Sequence, residues 1–367
     1  MSMGNTMTTT AAIAFAATLF LPIAGGSFAA DLLPAEVKAK VSGELVWHDG
    51  SGGATTRARE ETVIKAFKEE TGIGVKGDFN SDMTKFFAAM DSGASIPWSM
   101  IEFPTKGDFI KARDAGYLQK LDSAVVDLKK VGENAHDEYG IDVLRYGIVF
   151  TYNTEKFEGG NAPSSIVDLY DLKRFPGKRC LFKYPQFGGV LESALLADGV
   201  PRDKLYPLDL DKAFAKLDMI KAEILWWSNG DDAIRLLASG ECAMGITWSG
   251  RAYGAVKNDK SPLAIKWENS LFSQAVYAVP VGAPNAIAGQ AMIAHFISDI
   301  EGQKALVNEI TYTTDIVGLD SSSYGGDLAP WIVAGDNAKK AIEENAAYYA
   351  QHITEVVDRF NRWVALN

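Results

Sequence analysis

The amino-acid sequence predicts an α/β protein built from two domains. Short apolar strands alternate with amphipathic helices along most of the chain, the pattern of mostly parallel sheets flanked by helices. The chain has 367 residues, about the length of two domains that each bury a core. Two long apolar segments, 146–153 and 273–280, are expected to cross from one domain to the other.

The N-terminal residues predict export. Residues 7–24 are apolar, and Ser27 and Ala29 place small side chains where a signal peptidase requires them. No Lys or Arg precedes this run, and Met7 is an alternative start whose own amine would supply the charge. The run is shorter than the roughly 20 residues of a membrane-spanning helix. A cleaved signal peptide over 1–29 is therefore preferred to a membrane anchor.

Charge and cysteine content narrow the function classes. The formal net charge is −11, which argues against a nucleic-acid partner, because such partners require clustered Lys and Arg. The two cysteines, Cys180 and Cys242, both fall in predicted strands. An exported pair can form a disulfide, or both can remain buried thiols, and composition leaves the two interpretations open.

A glycine-rich loop follows the first predicted strand, at residues 45–47. The loop runs from His48 to Gly53 and precedes a helix predicted over 55–70, so that free backbone N–H groups point at it. Asp49 and Ser51 are therefore expected to contact a ligand. Two more strands, predicted over 73–80 and 98–103, alternate with helices predicted over 82–92 and 108–115.

Parallel strands bring their carboxyl ends to one edge of a sheet, where ligands bind. This rule places Phe103 and Thr105 on the same rim as the glycine-rich loop. The later elements continue the alternation of strands and helices. Strands are predicted over 177–183 and 264–267, and helices over 166–172, 210–221, 287–298, 300–310 and 338–366.

Residues 224–251 hold the most informative pattern. Trp226 and Trp227 precede a short helix, a turn and a strand, and the segment ends at Trp248 and Arg251. An arginine fork matches a carboxylate, and tryptophan faces cover a carbon skeleton or a cationic group. Adjacent residues on a strand face opposite ways, so one of the two tryptophans is expected in the core and the other in the cleft. Trp227 is preferred for the cleft, and the alternation itself leaves the choice open. The segment predicts one wall of a solute-binding cleft.

Motifs of catalysis are missing from the sequence. It contains no HExxH, no GxSxG and no GxGxxG after a strand, and its four histidines are scattered. Asp231 and Asp232 are adjacent carboxylates, but at the start of a helix they are expected to cap it. We therefore expect a binding protein rather than an enzyme, with no cofactor and no metal.

Four segments carry a resemblance to a known family. They are YGIVFTYNTEKF, LLASGECAMGITWSGRA, YAVPVGAPNA and GQKALVNEI. In these four segments, the mature chain resembles periplasmic solute-binding proteins of ABC importers. The resemblance is to the spermidine/putrescine-binding type. The resemblance implies a type II periplasmic binding protein with two lobes, each a mostly parallel sheet flanked by helices, and two crossing strands as hinge. It also implies a periplasmic monomer that binds a small molecule and meets an ABC permease.

The implied domains are residues 30–147 plus 277–312 for lobe 1, and 148–276 plus 313–367 for lobe 2. The same resemblance implies a disulfide between Cys180 and Cys242 and a cleft aromatic at Tyr312.

The acidic residues that hold ammonium groups in polyamine receptors are replaced here. Trp248 is retained, but Arg251 stands where an acid is common, and Gln274 and Gln186 stand where two others are expected. Receptors for γ-aminobutyrate (GABA) resemble this chain in a W-x-x-R arrangement. We therefore expect a small carboxylate-bearing amine, such as GABA or another ω-amino acid.

Two alternatives remain open. A polyamine could bind if Asp49 and Glu102 replaced the lost acids, and an exported enzyme such as a hydrolase could use a similar scaffold. The predicted ligand-binding residues are Trp248, Arg251, Trp227, Phe103, Thr105, Asp49, Ser51, Gln274 and Tyr312.

Overall fold

The fold is taken from a computed structural model, which describes residue 1 and residues 31–79, 83–157 and 160–365. Apart from Met1, the predicted signal peptide lies outside the described residues. The chain divides into two compact units, Met1–Asp31 and Leu32–Asn367, and the sheet and its helices belong to the second. Among the described residues, no helix has the length and apolar character needed to cross a membrane.

One mixed sheet contains the strands of the described chain. They are β1 (Glu44–Asp49), β2 (Gly74–Phe79), β3 (Met100–Phe103), β4 (Gly140–Asn153), β5 (Lys178–Phe182), β6 (Ile224–Trp227), β7 (Cys242–Trp248), β8 (Leu263–Ala278) and β9 (Ile342–Glu343). Their order is β2-β1-β3-β8-β4-β7-β5-β6, and β9 pairs with β8. Strand pairing is parallel within β2-β1-β3 and within β7-β5-β6, whereas β4 and β8 run antiparallel to their neighbours on the main path.

The two long central strands confirm the predicted crossings. β4 has 14 residues and β8 has 16, and they pair with each other between the two parallel groups. We call β2-β1-β3 with its helices the first lobe, and β7-β5-β6 with its helices the second. The segments 264–267 and 273–280 were expected as separate strands, but 264–267 and 273–278 both belong to β8, because its pairing with β4 continues past local register shifts. The predicted domain boundaries stay predictions.

Helices cover both faces of the sheet. They are α1 (Ala35–Lys38), α2 (Gly53–Glu61), α3 (Val63–Thr71), α4 (Thr84–Ser92), α5 (Lys106–Asp114), α6 (Val190–Ala197), α7 (Leu210–Asp218), α8 (Gly230–Ala238), α9 (Ser249–Asp259), α10 (Ala286–Phe296), α11 (Ile300–Ile310), α12 (Gly335–Lys340) and α13 (Ala346–Ala365). Their apolar faces pack on the sheet, and the largest fully buried side chains are aromatic apart from Arg59 and Arg179.

Three predicted helices differ from the structure. The helix expected over 55–70 is two helices, α2 and α3, because Thr62 has φ −117° and ψ −102°, outside the helical region. The region expected as one helix over 338–366 contains α12, the short strand β9 and α13. The helix expected over 166–172 is a single 3₁₀ segment, Ile166–Tyr170. Helical periodicity predicted the apolar faces but not these backbone breaks.

The disulfide between Cys180 and Cys242 is confirmed. β5 and β7 are adjacent and parallel, and their Cα atoms at these two positions lie 5.7 Å apart. Both residues are fully buried in a cluster that also contains Trp227. The bond therefore joins two neighbouring strands in the core of the second lobe.

Candidate functional site

A cavity of about 290 Å³ lies at the carboxyl ends of the strands, between the two lobes. Its wall combines the loops that follow β1, β3, β5 and β6, four aromatic side chains besides tryptophan, and the end of β7 with the start of α9. The lining residues are Gly50, Ser51, Gly52, Gly53, Thr55, Phe79, Pro104, Tyr146, Phe187, Ser228, Asn229, Gly230, Asp231, Trp248, Arg251, Ala275 and Tyr312. A concave site with an apolar lining and few polar groups suits a small organic ligand.

Two glycines allow close packing at the cavity, Gly53 across the cleft from Arg251 and Gly230 within the second lobe beside Trp248. A Cβ atom on Gly53 would lie 2.8 Å from Nη2 of Arg251, and one on Gly230 would lie 3.0 Å from the Trp248 ring. Gly53 also has φ +59°, a conformation that other residues rarely adopt. The backbone therefore passes close to the two side chains that the sequence singled out.

Arg251 lies in the first turn of α9, directly after β7, and its side chain is 10% exposed. Its Nη2 donates to the carbonyl of Gly52 at 3.2 Å, across the cleft. Its Nη1 is 3.2 Å from Oδ1 of Asp231, an ion pair without hydrogen-bond geometry. Nε and Nη1 are buried and lack a hydrogen-bond acceptor among the described residues. Buried donors of this kind require an acceptor, and a carboxylate matches the guanidinium fork.

Trp248 forms an aromatic wall together with Phe187. Its Nε1 donates to the carbonyl of Phe187 at 3.2 Å, and the two rings are nearly parallel with centroids 6.0 Å apart. Trp227 packs edge-on behind Trp248 at 5.2 Å and is buried. Trp226 packs edge-on against Phe360 of α13. Neither Trp226 nor Trp227 lines the cavity, so the assignment of Trp227 to the cleft is not supported. Trp227 instead packs behind Trp248 and supports it.

Asp49 shapes the glycine-rich loop. Its Oδ1 accepts the backbone N–H groups of Ser51 and Gly52 at 3.0 and 3.1 Å, and its Oδ2 accepts the hydroxyl of Thr56. The residue is fully buried, so its predicted ligand contact is not supported either. Ser51 does line the cavity, and its Oγ donates to Oε1 of Glu102 at 2.6 Å.

Glu102 and Arg59 form a buried ion pair behind this loop. Nη1 and Nη2 of Arg59 reach the two carboxylate oxygens at 2.6 and 2.7 Å, and Gly50 N donates to Oε2 at 3.1 Å. Burial raises the pKa of Glu102, and the charge and hydrogen bonds of Arg59 oppose this rise. Neither Glu102 nor Asp49 offers an accessible charge, which argues against a polyamine held by these two acids.

Three other predicted site residues are buried outside the cavity lining. Phe103 packs against Phe86 in the first-lobe core, with ring centroids 5.4 Å apart. Thr105 caps α5 and accepts Nε2 of Gln186 at 2.5 Å. Gln274 donates to Oε1 of Glu343 at 2.8 Å. A position at the carboxyl end of a strand therefore did not predict contact with the cavity, because these three side chains pack on or hydrogen-bond to other residues instead.

Tyr312 lines the cavity beside Tyr146, with ring centroids 5.9 Å apart. Burial raises its pKa to about 12, so the hydroxyl is neutral at physiological pH. Four of the predicted ligand-binding residues thus meet at the cavity: Ser51, Trp248, Arg251 and Tyr312. Their contact with a ligand stays a prediction.

Sequence reasoning missed several lining residues. Phe79 is 60% exposed at the end of β2, where the carboxyl-edge rule could have placed it. Phe187 has φ +43° in an irregular loop and gave no periodic signal. Asp231 was expected to cap α8, but Asn229 is the cap and accepts Asp231 N at 2.8 Å. The Asp231 carboxylate is 65% exposed and lies beside Arg251.

The fold and this interlobe cavity together define a two-lobed solute receptor of the periplasmic binding type. Residues 62–317 match the bacterial extracellular solute-binding protein family, and the chain belongs to that family. It is 33% identical over 322 residues to the gamma-aminobutyric acid-binding protein of Pseudomonas aeruginosa. That alignment covers 86% of this chain and 89% of the relative.

Solved structures show the same similarity. A GABA receptor structure is 31% identical with a TM-score of 0.78, covering 88% of this chain and 98% of that one. The A. tumefaciens B6 protein MotA, in complex with glucopine, is 26% identical with a TM-score of 0.79, covering 88% and 99%. The A. tumefaciens R10 protein AgtB, in complex with agropinic acid, is 25% identical with a TM-score of 0.79, covering 89% and 99%.

The family defines the class of function. The chain is a solute-binding protein that captures a small molecule outside the cytoplasm for an ABC permease, and it is not an enzyme. The prediction of a receptor is confirmed at this level. The spermidine/putrescine type and the W-x-x-R block stay predictions.

Proposed function

We propose that the cavity captures a small carboxylate-bearing amine, GABA or another ω-amino acid. The observation that carries this proposal is the buried guanidinium of Arg251, whose Nε and Nη1 lack an acceptor among the described residues. A ligand carboxylate would supply that acceptor with charge-assisted hydrogen bonds. The names of the gamma-aminobutyric acid-binding relative and of the GABA receptor structure support the same ligand class.

The rest of the cavity suits the other parts of such a ligand. Trp248 and Phe187 form a flat apolar wall for the methylene chain, and Phe79 lies on the first-lobe side. Asp231 is the lining carboxylate and is mostly exposed, so it can pair with an ammonium group. Binding would then exchange the Arg251–Asp231 ion pair for two ion pairs with the ligand.

The remaining expectations belong to the same proposal. A signal peptide over 1–29 exports the chain to the periplasm, where it acts as a monomer. Lobe 1 comprises 30–147 plus 277–312, and lobe 2 comprises 148–276 plus 313–367. Closure of the lobes around β4 and β8 would enclose the ligand.

Calorimetry with the purified mature protein tests the ligand class. The series contains GABA, shorter and longer ω-amino acids, α-amino acids, the matching monocarboxylates, putrescine and spermidine. We expect ω-amino acids to bind best, monocarboxylates to bind weakly and diamines not at all. Tight binding of putrescine with no response to any carboxylate would overturn the proposal. A thermal-shift screen of the same compounds gives an independent readout, because a ligand of the folded state raises Tm.

A further inference from the structure

The loop that carries Phe187 is held in place by a buried carboxyl group. Oε1 of Glu344 accepts the backbone N–H of Phe187 at 2.7 Å, and its Oε2 lies 3.1 Å from the hydroxyl of Ser273 on β8. Glu344 follows β9 and is 5% exposed. It therefore joins a wall of the cavity to one of the two crossing strands.

The same loop has two further attachments. The carbonyl of Phe187 accepts Nε1 of Trp248, and the ring of Phe187 stacks on that tryptophan. The side chain of Gln186 reaches across to Thr105 at the start of α5, in the first lobe. Phe187 also has φ +43°, a conformation that a non-glycine residue keeps only when its surroundings impose it. The hydrogen bond from Phe187 to Glu344 supplies part of that constraint.

The surroundings of Glu344 favour its neutral form. The titratable groups that act on it include Glu192 of α6, Asp108 of α5, Tyr146 of β4, Tyr349 of α13 and Tyr206. Glu192 is itself buried, and its Oε1 accepts the hydroxyls of Tyr206 and Tyr349, each at 2.7 Å. Burial and the charge of Glu192 raise the pKa of Glu344 to about 8, and these effects outweigh the hydrogen bonds from Phe187 N–H and Ser273, which favour the charged form.

A neutral carboxyl group fits both contacts. Its carbonyl oxygen accepts from Phe187 N–H, and its O–H can donate to Oγ of Ser273, since a hydroxyl both donates and accepts. An ionised carboxylate would bring a second negative charge close to Glu192 in a buried site, which is costly.

We propose that neutral Glu344 is a positioning residue for ligand binding, which holds Phe187 against Trp248 and so couples ligand affinity to a proton. This proposal rests on the proposed function in one respect, which is that GABA is taken as the ligand. Raising the pH through the titration of Glu344 would loosen this wall of the cavity and weaken binding. If only the neutral form binds, a pKa of about 8 predicts a loss of about tenfold between pH 7 and pH 9.

Two variants test whether the neutral carboxyl group of Glu344 positions Phe187 or whether the side chain only fills space. Glu344→Gln replaces the neutral acid by an amide, which accepts from Phe187 N–H and donates to Ser273. It should bind GABA as the native chain does at pH 7 and keep that affinity to pH 9. Glu344→Ala should bind weakly at both pH values. A native affinity that is flat to pH 9, or the same decline in Glu344→Gln, would overturn the proposal.

A readout without ligand keeps this test independent of the proposed function. Near-ultraviolet circular dichroism of the unliganded protein reports the packing of its aromatic side chains, and the difference between the native chain and Trp248→Leu isolates the part that comes from Trp248. We expect a transition with a midpoint near pH 8 in the native chain and none in Glu344→Gln. Failure of GABA to bind at pH 7 would contradict only the ligand assignment, whereas a missing native transition in the dichroism would contradict the role of Glu344.

Discussion

Two buried carboxyl clusters lie behind the cavity, and each holds a loop of a different lobe. Glu102 accepts Gly50 N–H of the first-lobe loop at 3.1 Å. Glu344 accepts Phe187 N–H of the second-lobe loop at 2.7 Å. Each carboxyl thus fixes the backbone of a loop that lines the cavity. The first cluster contains the guanidinium of Arg59, whereas tyrosine hydroxyls surround the second.

The cation decides how each loop responds to pH. Arg59 contacts both oxygens of Glu102 and lies 3.7 Å from Asp49, so its charge partly compensates those of the two carboxylates within the core. Beside Glu344, the nearby Glu192 adds to the effect of burial, and both raise the pKa of Glu344. A carboxylate paired with a cation holds its loop in the ionised form. Where two buried acids are adjacent, the hold on the loop depends on whether one of them is protonated.

Removing the cation of the first cluster should have the largest effect. Arg59→Met leaves Glu102 and Asp49 buried without their partner, and we expect the free energy of unfolding to fall by roughly 3–5 kcal/mol. Urea unfolding at pH 7 measures this change. Arg59→Lys retains a charge without the fork and should lose less. A loss under about 1 kcal/mol in Arg59→Met would show that the ion pair does not stabilise the first-lobe loop.

A matched pair of substitutions compares the two clusters directly. Glu102→Gln leaves Arg59 without its counter-charge and should cost roughly 2–4 kcal/mol of unfolding free energy. Glu192→Gln should cost less than about 1 kcal/mol at pH 7, because Glu192 forms no ion pair among the described residues and an amide still accepts the hydroxyls of Tyr206 and Tyr349. Equal losses in the two variants would remove the distinction between the clusters.

Arg251 joins the two sides, since it lies on the second lobe and donates to Gly52 of the first. Arg251→Met should weaken GABA binding by at least about tenfold, or roughly 1.4 kcal/mol, because the ligand carboxylate loses its partner. Calorimetry measures the affinity, and urea unfolding checks that the variant is folded. Arg251→Lys should recover part of the affinity, and native affinity in Arg251→Met would place the ligand carboxylate elsewhere.

The pH dependence of stability should show a smaller difference. A carboxyl group with its pKa raised from 4.5 to about 8 binds a proton in the folded chain but not in the unfolded chain between these values. The contribution of Glu344 to stability therefore falls as the pH rises through that window. The unfolding free energy measured in urea from pH 6 to pH 8 should decline more steeply for the native chain than for Glu344→Gln. Parallel declines would contradict the raised pKa.

Asp231→Asn should give the smallest effect on binding. The side chain is 65% exposed, so solvent weakens its pairing with a ligand ammonium group. We expect GABA affinity to fall by about threefold to tenfold while a matching monocarboxylate binds unchanged or better. A decline that is equal for both compounds would assign Asp231 to positioning Arg251 instead.

The sequence by itself predicted the class of protein and two residues that line the cavity. Alternating strands and helices predicted the α/β fold, and the second halves of β4 and β8 were visible as apolar runs, because strand period and burial are local properties. Trp248 and Arg251 were found because residue type and a short spacing carry their chemistry. Asp49, by contrast, was interpreted as a ligand contact, and only its backbone partners showed that it shapes the loop.

Only the tertiary structure decided which side chains share the cavity and which are already paired. Arg251 meets Gly52 across 199 residues, and Glu344 meets Phe187 across 157. Such pairings arise from the packing of whole lobes, and no periodicity along the chain records them. Whether a carboxyl group is an exposed ligand partner, an ion-paired anchor or a neutral acid depends on burial and on the nearest charge. Those two quantities exist only once the chain has folded.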